Sequence, residues 1–118
     1  MSKKVLVVDD DSMMHMLYQA HFREEMSSGK AIFYFKSSGQ DALDFLETNT
    51  VDIILSDVNM PKMTGLELLK IIKNKYPNLD VCIISAFKDH EQEASDLKAK
   101  VFFQKPVKME KLKGIIFS

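Results

Sequence analysis

The chain has 118 residues and a mass of 13.5 kDa, with 46% hydrophobic content, which suits one compact domain spanning residues 1–118 around a single core and leaves no length for a second. Sixteen Lys and Arg against seventeen Asp and Glu give a formal net charge of -1, so no global field exists to hold nucleic acid or an anionic membrane, and neither is an expected partner. The single cysteine, Cys82, allows no intramolecular disulfide and fits a reducing cytoplasm, and no apolar run approaches the roughly 18 residues of a membrane span.

Val5-Leu6-Val7-Val8 is a continuous, largely β-branched run that predicts a buried strand delivering Asp9, Asp10 and Asp11 at its end. Ser12 is the expected cap of the first helix, in which Met13, Leu17 and Ala20 recur at helical spacing with Met14, Tyr18 and Phe22 beside them; Gly29 is its expected C-terminal cap. The eight methionines include several at such spacing and read as core filling. Lys30 to Lys36 predicts a second strand, and Gly39 to Thr48 a helix burying Ala42, Leu43, Phe45 and Leu46. Val51 to Leu55 holds three large aliphatics in a row and predicts a third strand, buried on both faces, from which Asp57 emerges.

Pro61 ends any strand there, and Thr64 with Glu67 forms a capping-box pair that opens a helix carrying Leu66, Leu69 and Ile72 to about Lys75. Leu79 to Ile84 predicts a fourth buried strand ending at Ser85. Lys88 to Leu97 is mostly charged, with Phe87, Ala94 and Leu97 available to bury, and predicts the most loosely held helix. Val101 to Phe103 is a short fifth strand, Lys105-Pro106 breaks it, and Met109, Leu112 and Ile116 mark a last helix. Strands that alternate with helices predict an α/β, doubly wound parallel sheet with helices on both faces.

The run Asp57-x-x-Met60-Pro61-x-Met63-x-Gly65, between a buried strand and a capped helix, resembles the phosphoacceptor loop of the receiver domains of two-component response regulators. The resemblance covers Val5 to Ile116 and implies the flavodoxin-like order 2-1-3-4-5, in which Asp9 and Asp10 lie beside Asp57 at the carboxyl edge of the sheet. It implies phosphorylation of Asp57, metal contact by Asp10 and Asp57, water-mediated contact by Asp9, and a further contact from the backbone carbonyl of Asn59. Crowded carboxylates call for a cation, and hard oxygen donors without a nearby imidazole or thiol suit Mg²⁺ or Mn²⁺. Ser85 and Lys105 match the residues that bind the phosphoryl oxygens, Lys105-Pro106 matches the family's cis bond, and Phe102 matches its switch aromatic. One departure is Lys98, where the family usually has a small glycine before strand five.

The partners so implied are a sensor histidine kinase or phosphotransfer protein as donor, and a downstream output protein or an output domain absent from these residues. Such a domain assists its own phosphorylation and dephosphorylation rather than turning over a substrate. The acidic run from Asp89 to Asp96 reads as a solvated face or as half of a phosphorylation-dependent contact with the Lys-rich last helix of another copy. A rival reading is a haloacid dehalogenase-like phosphatase with Asp9 as nucleophile, from Asp9-Asp10-Asp11 after an aliphatic strand; it leaves the Asp57 to Gly65 loop unexplained. His15, His21 and His90 share no ligand spacing with one another or with Cys82, so a histidine metal site is not expected.

Overall fold

The computed structural model describes residues 2–118. Five strands, β1 (Lys3–Val8), β2 (Ala31–Lys36), β3 (Ile53–Asp57), β4 (Asp80–Ser85) and β5 (Val101–Gln104), form one parallel sheet in the order β2-β1-β3-β4-β5. Every predicted strand is present, with ends shifted by one or two residues; β3 begins at Ile53 rather than Val51 and includes Asp57 itself. All five residues of β3 are buried because the strand is central and covered on both faces.

Alternation along the strands sends side chains into two separate cores. Leu6, Val8, Ile54, Val81 and Ile83 pack under α3 (Gly39–Thr48), α4 (Gly65–Lys75) and α5 (Glu91–Asp96) through Ala42, Leu46, Leu68, Leu69, Ile72 and Ala94. Val5, Val7, Leu55, Cys82 and Ile84 face α1 (Ser12–His21) and α6 (Met109–Ile116) through Tyr18, Phe22, Leu112 and Ile116.

The helix starts follow local chemistry. Thr64 Oγ1 accepts from the Glu67 N–H at 3.1 Å and Glu67 Oε1 accepts from the Thr64 N–H at 2.9 Å, which completes the expected capping box. Asp11, not Ser12, caps α1: its Oδ1 accepts from the Met13 N–H at 2.9 Å, which spends the third carboxylate of the Asp9-Asp10-Asp11 run on the backbone. The helix is also interrupted at the fully buried Phe22 (φ -102°, ψ 21°), after which α2 (Arg23–Ser27) runs to Gly29 at φ 79°, the expected C-terminal cap.

The buried stripe of α1 differs from the expectation. Tyr18 and Phe22 are buried, whereas Met13, Met16 and Leu17 are 65%, 62% and 52% exposed. The larger rings occupy the sheet face, and the Met13–Leu17 row, about a hundred degrees round the helix, is turned to solvent. Phe87 is likewise 57% exposed rather than buried, and the segment from Lys88 to Leu97 is a 3₁₀ turn (Lys88–His90) leading into the six-residue α5, whose one buried residue is Ala94.

Lys98 explains the missing glycine. It sits at φ 72° at the end of α5, where its N–H bonds the Ser95 carbonyl at 3.0 Å and the Ala99 N–H reaches back to Ala94 at 2.9 Å. That pair of bonds is a Schellman ending, and its left-handed residue is the position glycine fills without steric cost.

Candidate functional site

Parallel strands present their carboxyl ends along one edge, and β1 and β3 are direct neighbours there, Val8 opposite Ser56. Asp9 and Asp57 are therefore brought side by side. Asp9, Asp10 and Asp57 each place a carboxylate oxygen within 4.8 Å of the other two. At ~5 Å and an effective dielectric near ~20, two like charges repel by about 3 kcal/mol. Burial, foremost, pushes the Asp9 carboxyl above its ordinary value; the Asp11 N–H bonded to its Oδ1 opposes this, and the Asp57 charge adds to it. Burial also raises the Tyr18 phenol, with Asp9 and Asp57 acting in the same direction from across the α1 contact.

Asp57 is the deepest member of the group together with Asp9, at 6% and 4% exposure, while Asp10 faces solvent. Lys105 Nζ lies 3.2 Å from Asp57 Oδ1. The approach is an ion pair by distance but is misaligned as a hydrogen bond, so Oδ1 is buried without a hydrogen-bond donor. A buried carboxylate with an unsatisfied oxygen, grouped with two further carboxylates, is a site that a hard divalent cation fits.

The loop after Asp57 is held by close contacts. The Val58 N–H bonds the Ile84 carbonyl at 3.1 Å, and the Gly65 N–H bonds Val58 O at 2.9 Å. A Cβ at Gly65 would collide with the Asp57 backbone carbonyl, and one at Gly39 would collide with the Met63 side chain. These two contacts give physical content to Met63 and Gly65 of the motif. Lys62, immediately before Met63, adopts φ 70° to complete the turn.

Of the residues singled out in the sequence, Asp9, Asp10, Asp57 and Lys105 converge. Asn59 is exposed on the loop two residues beyond Asp57. Ser85 ends β4, fully buried, and its carbonyl accepts the Lys105 N–H at 2.8 Å. Its hydroxyl faces His90 Nδ1 at 2.7 Å and accepts from the Phe87 N–H at 3.0 Å. Phe102 is half-buried on β5 opposite Ile83 and packed against the α4–α5 side of the sheet. Lys105-Pro106 is cis, as the resemblance implied. Two contacts escaped the sequence reading, His90 on Ser85 and His15 Nε2 donating to the Asp9 carbonyl at 2.8 Å. Both histidines follow a site residue by five or six positions, a spacing that has no meaning until the intervening turn is known.

Residues 5–117 match the family described as the response regulator receiver domain. The chain is similar to the DNA-binding transcriptional regulator NtrC of Klebsiella pneumoniae, 38% identical over 96 residues that make up 81% of this chain and 20% of that protein. It thus spans about a fifth of that relative's length. It is also similar to sporulation initiation phosphotransferase F of Bacillus subtilis, 30% identical over 118 residues, 98% of this chain and 92% of that protein. Among solved structures, the chemotaxis response regulator CheY4 of Vibrio cholerae superposes with a TM-score of 0.85 at 26% identity, over 99% of this chain and 98% of that one. The receiver domain of the Francisella response regulator 1452 does so with a TM-score of 0.87 at 28% identity, over 98% and 94%. The rival phosphatase reading fails on this point, since the match runs from β1 to α6 and includes the loop that reading left unexplained. From the first strand to the last helix, the chain belongs to the receiver domains of response regulators.

Proposed function

We propose that Asp57 is the phosphoacceptor, that residues 1–118 form one receiver domain, and that phosphorylation is its input. The observation that carries this is the buried Asp57 carboxylate, grouped with those of Asp9 and Asp10, whose Oδ1 lies beside Lys105 without a hydrogen-bond donor. Asp10, Asp57 and the Asn59 carbonyl would hold Mg²⁺ or Mn²⁺, with Asp9 acting through water. The bound cation supplies charge neutralisation and orientation of the phosphoryl oxygens. An Asp57 carboxylate oxygen forms the new bond to phosphorus as the donor's bond to it breaks, and the electron pair leaves with the donor imidazole of a phosphohistidine. Lys105 offsets the charge that gathers on the phosphoryl oxygens, and Ser85 donates to one of them. The same groups assist phosphorylation and dephosphorylation of the protein's own aspartate, the role of a signalling domain rather than a turnover enzyme.

The donor class is a sensor histidine kinase or a phosphotransfer protein in the cytoplasm, and the output is a separate protein or a further domain. Readout is assigned to α5, β5 and α6, including self-association through the acidic α5 face. Movement of Ser85 toward the phosphoryl group frees space for Phe102, and α5, with one buried residue, needs little free energy to shift.

Incubation with acetyl phosphate and Mg²⁺ should add one phosphoryl group by intact mass, labile at alkaline pH, and Asp57→Asn should abolish it. Undiminished labelling of Asp57→Asn would overturn the assignment. Sustained release of phosphate from a simple phosphate ester would contradict the acceptor role.

A further inference from the structure

The buried hydroxyl of Ser85 is already engaged. Its oxygen accepts from the Phe87 N–H at 3.0 Å and lies 2.7 Å from His90 Nδ1. Ser85 has no solvent exposure, and among the described residues its hydroxyl proton has no acceptor other than His90. Were Nδ1 to carry the proton instead, the serine O–H would be buried without a partner, which is unfavourable. The arrangement therefore selects the neutral Nε2–H tautomer of His90, with Ser85 donating to Nδ1. The residue is fixed in turn by its position at the end of the 3₁₀ turn, where the His90 backbone N–H bonds the Phe87 carbonyl at 3.2 Å and the imidazole meets the Phe87 ring edge-on at 6.0 Å.

We propose that His90 is a positioning residue for phosphoryl recognition: its Nδ1 holds the single hydroxyl proton of Ser85 in the unphosphorylated protein, and that bond must break before Ser85 can donate to a phosphoryl oxygen. The inference rests on the reading of Ser85 as a phosphoryl partner. A serine has one proton to give, so imidazole and phosphoryl group compete for it. His90 is also the link between the carboxyl end of β4 and the start of α5, so release of the serine removes one of the few attachments of that loosely held segment. His90 thereby raises the threshold for activation and couples it to the proposed output face. The imidazole stays in the protein throughout and no covalent bond changes.

The test uses the intact protein with beryllofluoride and Mg²⁺ as a phosphoryl mimic, and His90→Phe, which keeps a ring beside Phe87 but has no acceptor nitrogen. Beryllofluoride should bind His90→Phe about two- to tenfold more tightly than wild type, the range expected for one net hydrogen bond. His90→Asn, whose side-chain carbonyl can stand in for Nδ1, should return toward the wild-type affinity. Combined with Ser85→Ala, His90→Phe should have no further effect. In the ligand-free protein, the ¹⁵N resonance of His90 Nδ1 should lie in the hydrogen-bonded range, and Ser85→Ala should move it toward the free-imine range. Beryllofluoride should do the same to wild type. Equal or weaker binding by His90→Phe, or an Nδ1 resonance indifferent to Ser85→Ala, overturns the competition. Loss of binding in Asp57→Asn together with unchanged binding in Ser85→Ala would instead mark the failure of the Ser85 reading, and the proposal would fall with it.

Discussion

Gly65 packs directly against the backbone carbonyl of Asp57, so closely that a single added methyl group would overlap that oxygen. The contact arises because α4 begins at Gly65 and its N–H folds back onto Val58 O at 2.9 Å. The first turn of the helix is thus pressed onto the residue that emerges from β3. Gly65→Ala must move backbone rather than a flexible side chain, and overpacking of that kind costs about 3 kcal/mol, the upper part of the usual range. Urea unfolding should show this loss, and acetyl phosphate should label the variant more slowly than wild type. Wild-type stability in Gly65→Ala would mean that the loop is not held as described.

Mg²⁺ should raise the melting temperature because it binds the folded carboxylates and not the unfolded chain, by about 1.4 kcal/mol at roughly ten times its dissociation constant. Asp10→Asn should remove most of that gain. In chelator the same substitution should melt higher than wild type, since one of three mutually repelling carboxylates within 4.8 Å becomes neutral. A lower melting point for Asp10→Asn in chelator would contradict the crowding.

Lys98 at φ 72° pays for a left-handed conformation that glycine adopts freely. Lys98→Gly should therefore stabilise the protein by about 0.5–1 kcal/mol after the greater unfolded-state freedom of glycine is set against the relieved strain. For a domain of this size that is roughly 2–4 °C in melting temperature, readable by calorimetry. Destabilisation would show that the lysine side chain contributes more than its backbone costs.

The Lys113 Nζ to Glu25 Oε2 pair, at 3.1 Å, ties α2 to α6. The Glu25 carboxyl is held below its ordinary 4.5, first by its own backbone N–H and then by Lys113, while the Lys113 ammonium is held above its ordinary 10.5, first by its hydrogen bond to Glu25. A lowered acid favours the folded state when ionised, so its contribution is present above about 4.5 and is lost as pH falls through the lowered value. A raised base contributes fully below about 10.5 and loses that contribution as pH rises through the raised value. Glu25→Gln should lower stability at neutral pH and flatten both the acid and the alkaline limbs of the stability profile. Chemical denaturation across pH checks this; limbs as steep as wild type would exclude a role for the pair.

Much of this architecture is legible along the chain because it depends on short-range rules. The buried strands declare themselves as aliphatic runs, Thr64 and Glu67 find each other three residues apart, and Asp57 to Gly65 combines a strand end, a proline turn and a close-packed glycine within nine positions. The Asp11 cap and the Lys98 ending are equally local, and only the choice between adjacent residues, or the unexpected side chain, obscured them. Other features have no local signature. Met13–Leu17 and Tyr18–Phe22 are apolar rows of similar spacing, and which of them is buried was decided by how that segment packs on the sheet. The order 2-1-3-4-5, which the resemblance supplied, is what sets Asp9 beside Asp57. Ser85 and His90 meet because a 3₁₀ turn folds the chain back over the end of β4. Periodicity and capping act through the nearest few residues of backbone, whereas the orientation of packed elements is set by the whole core at once, and only tertiary structure can decide contacts of that second kind.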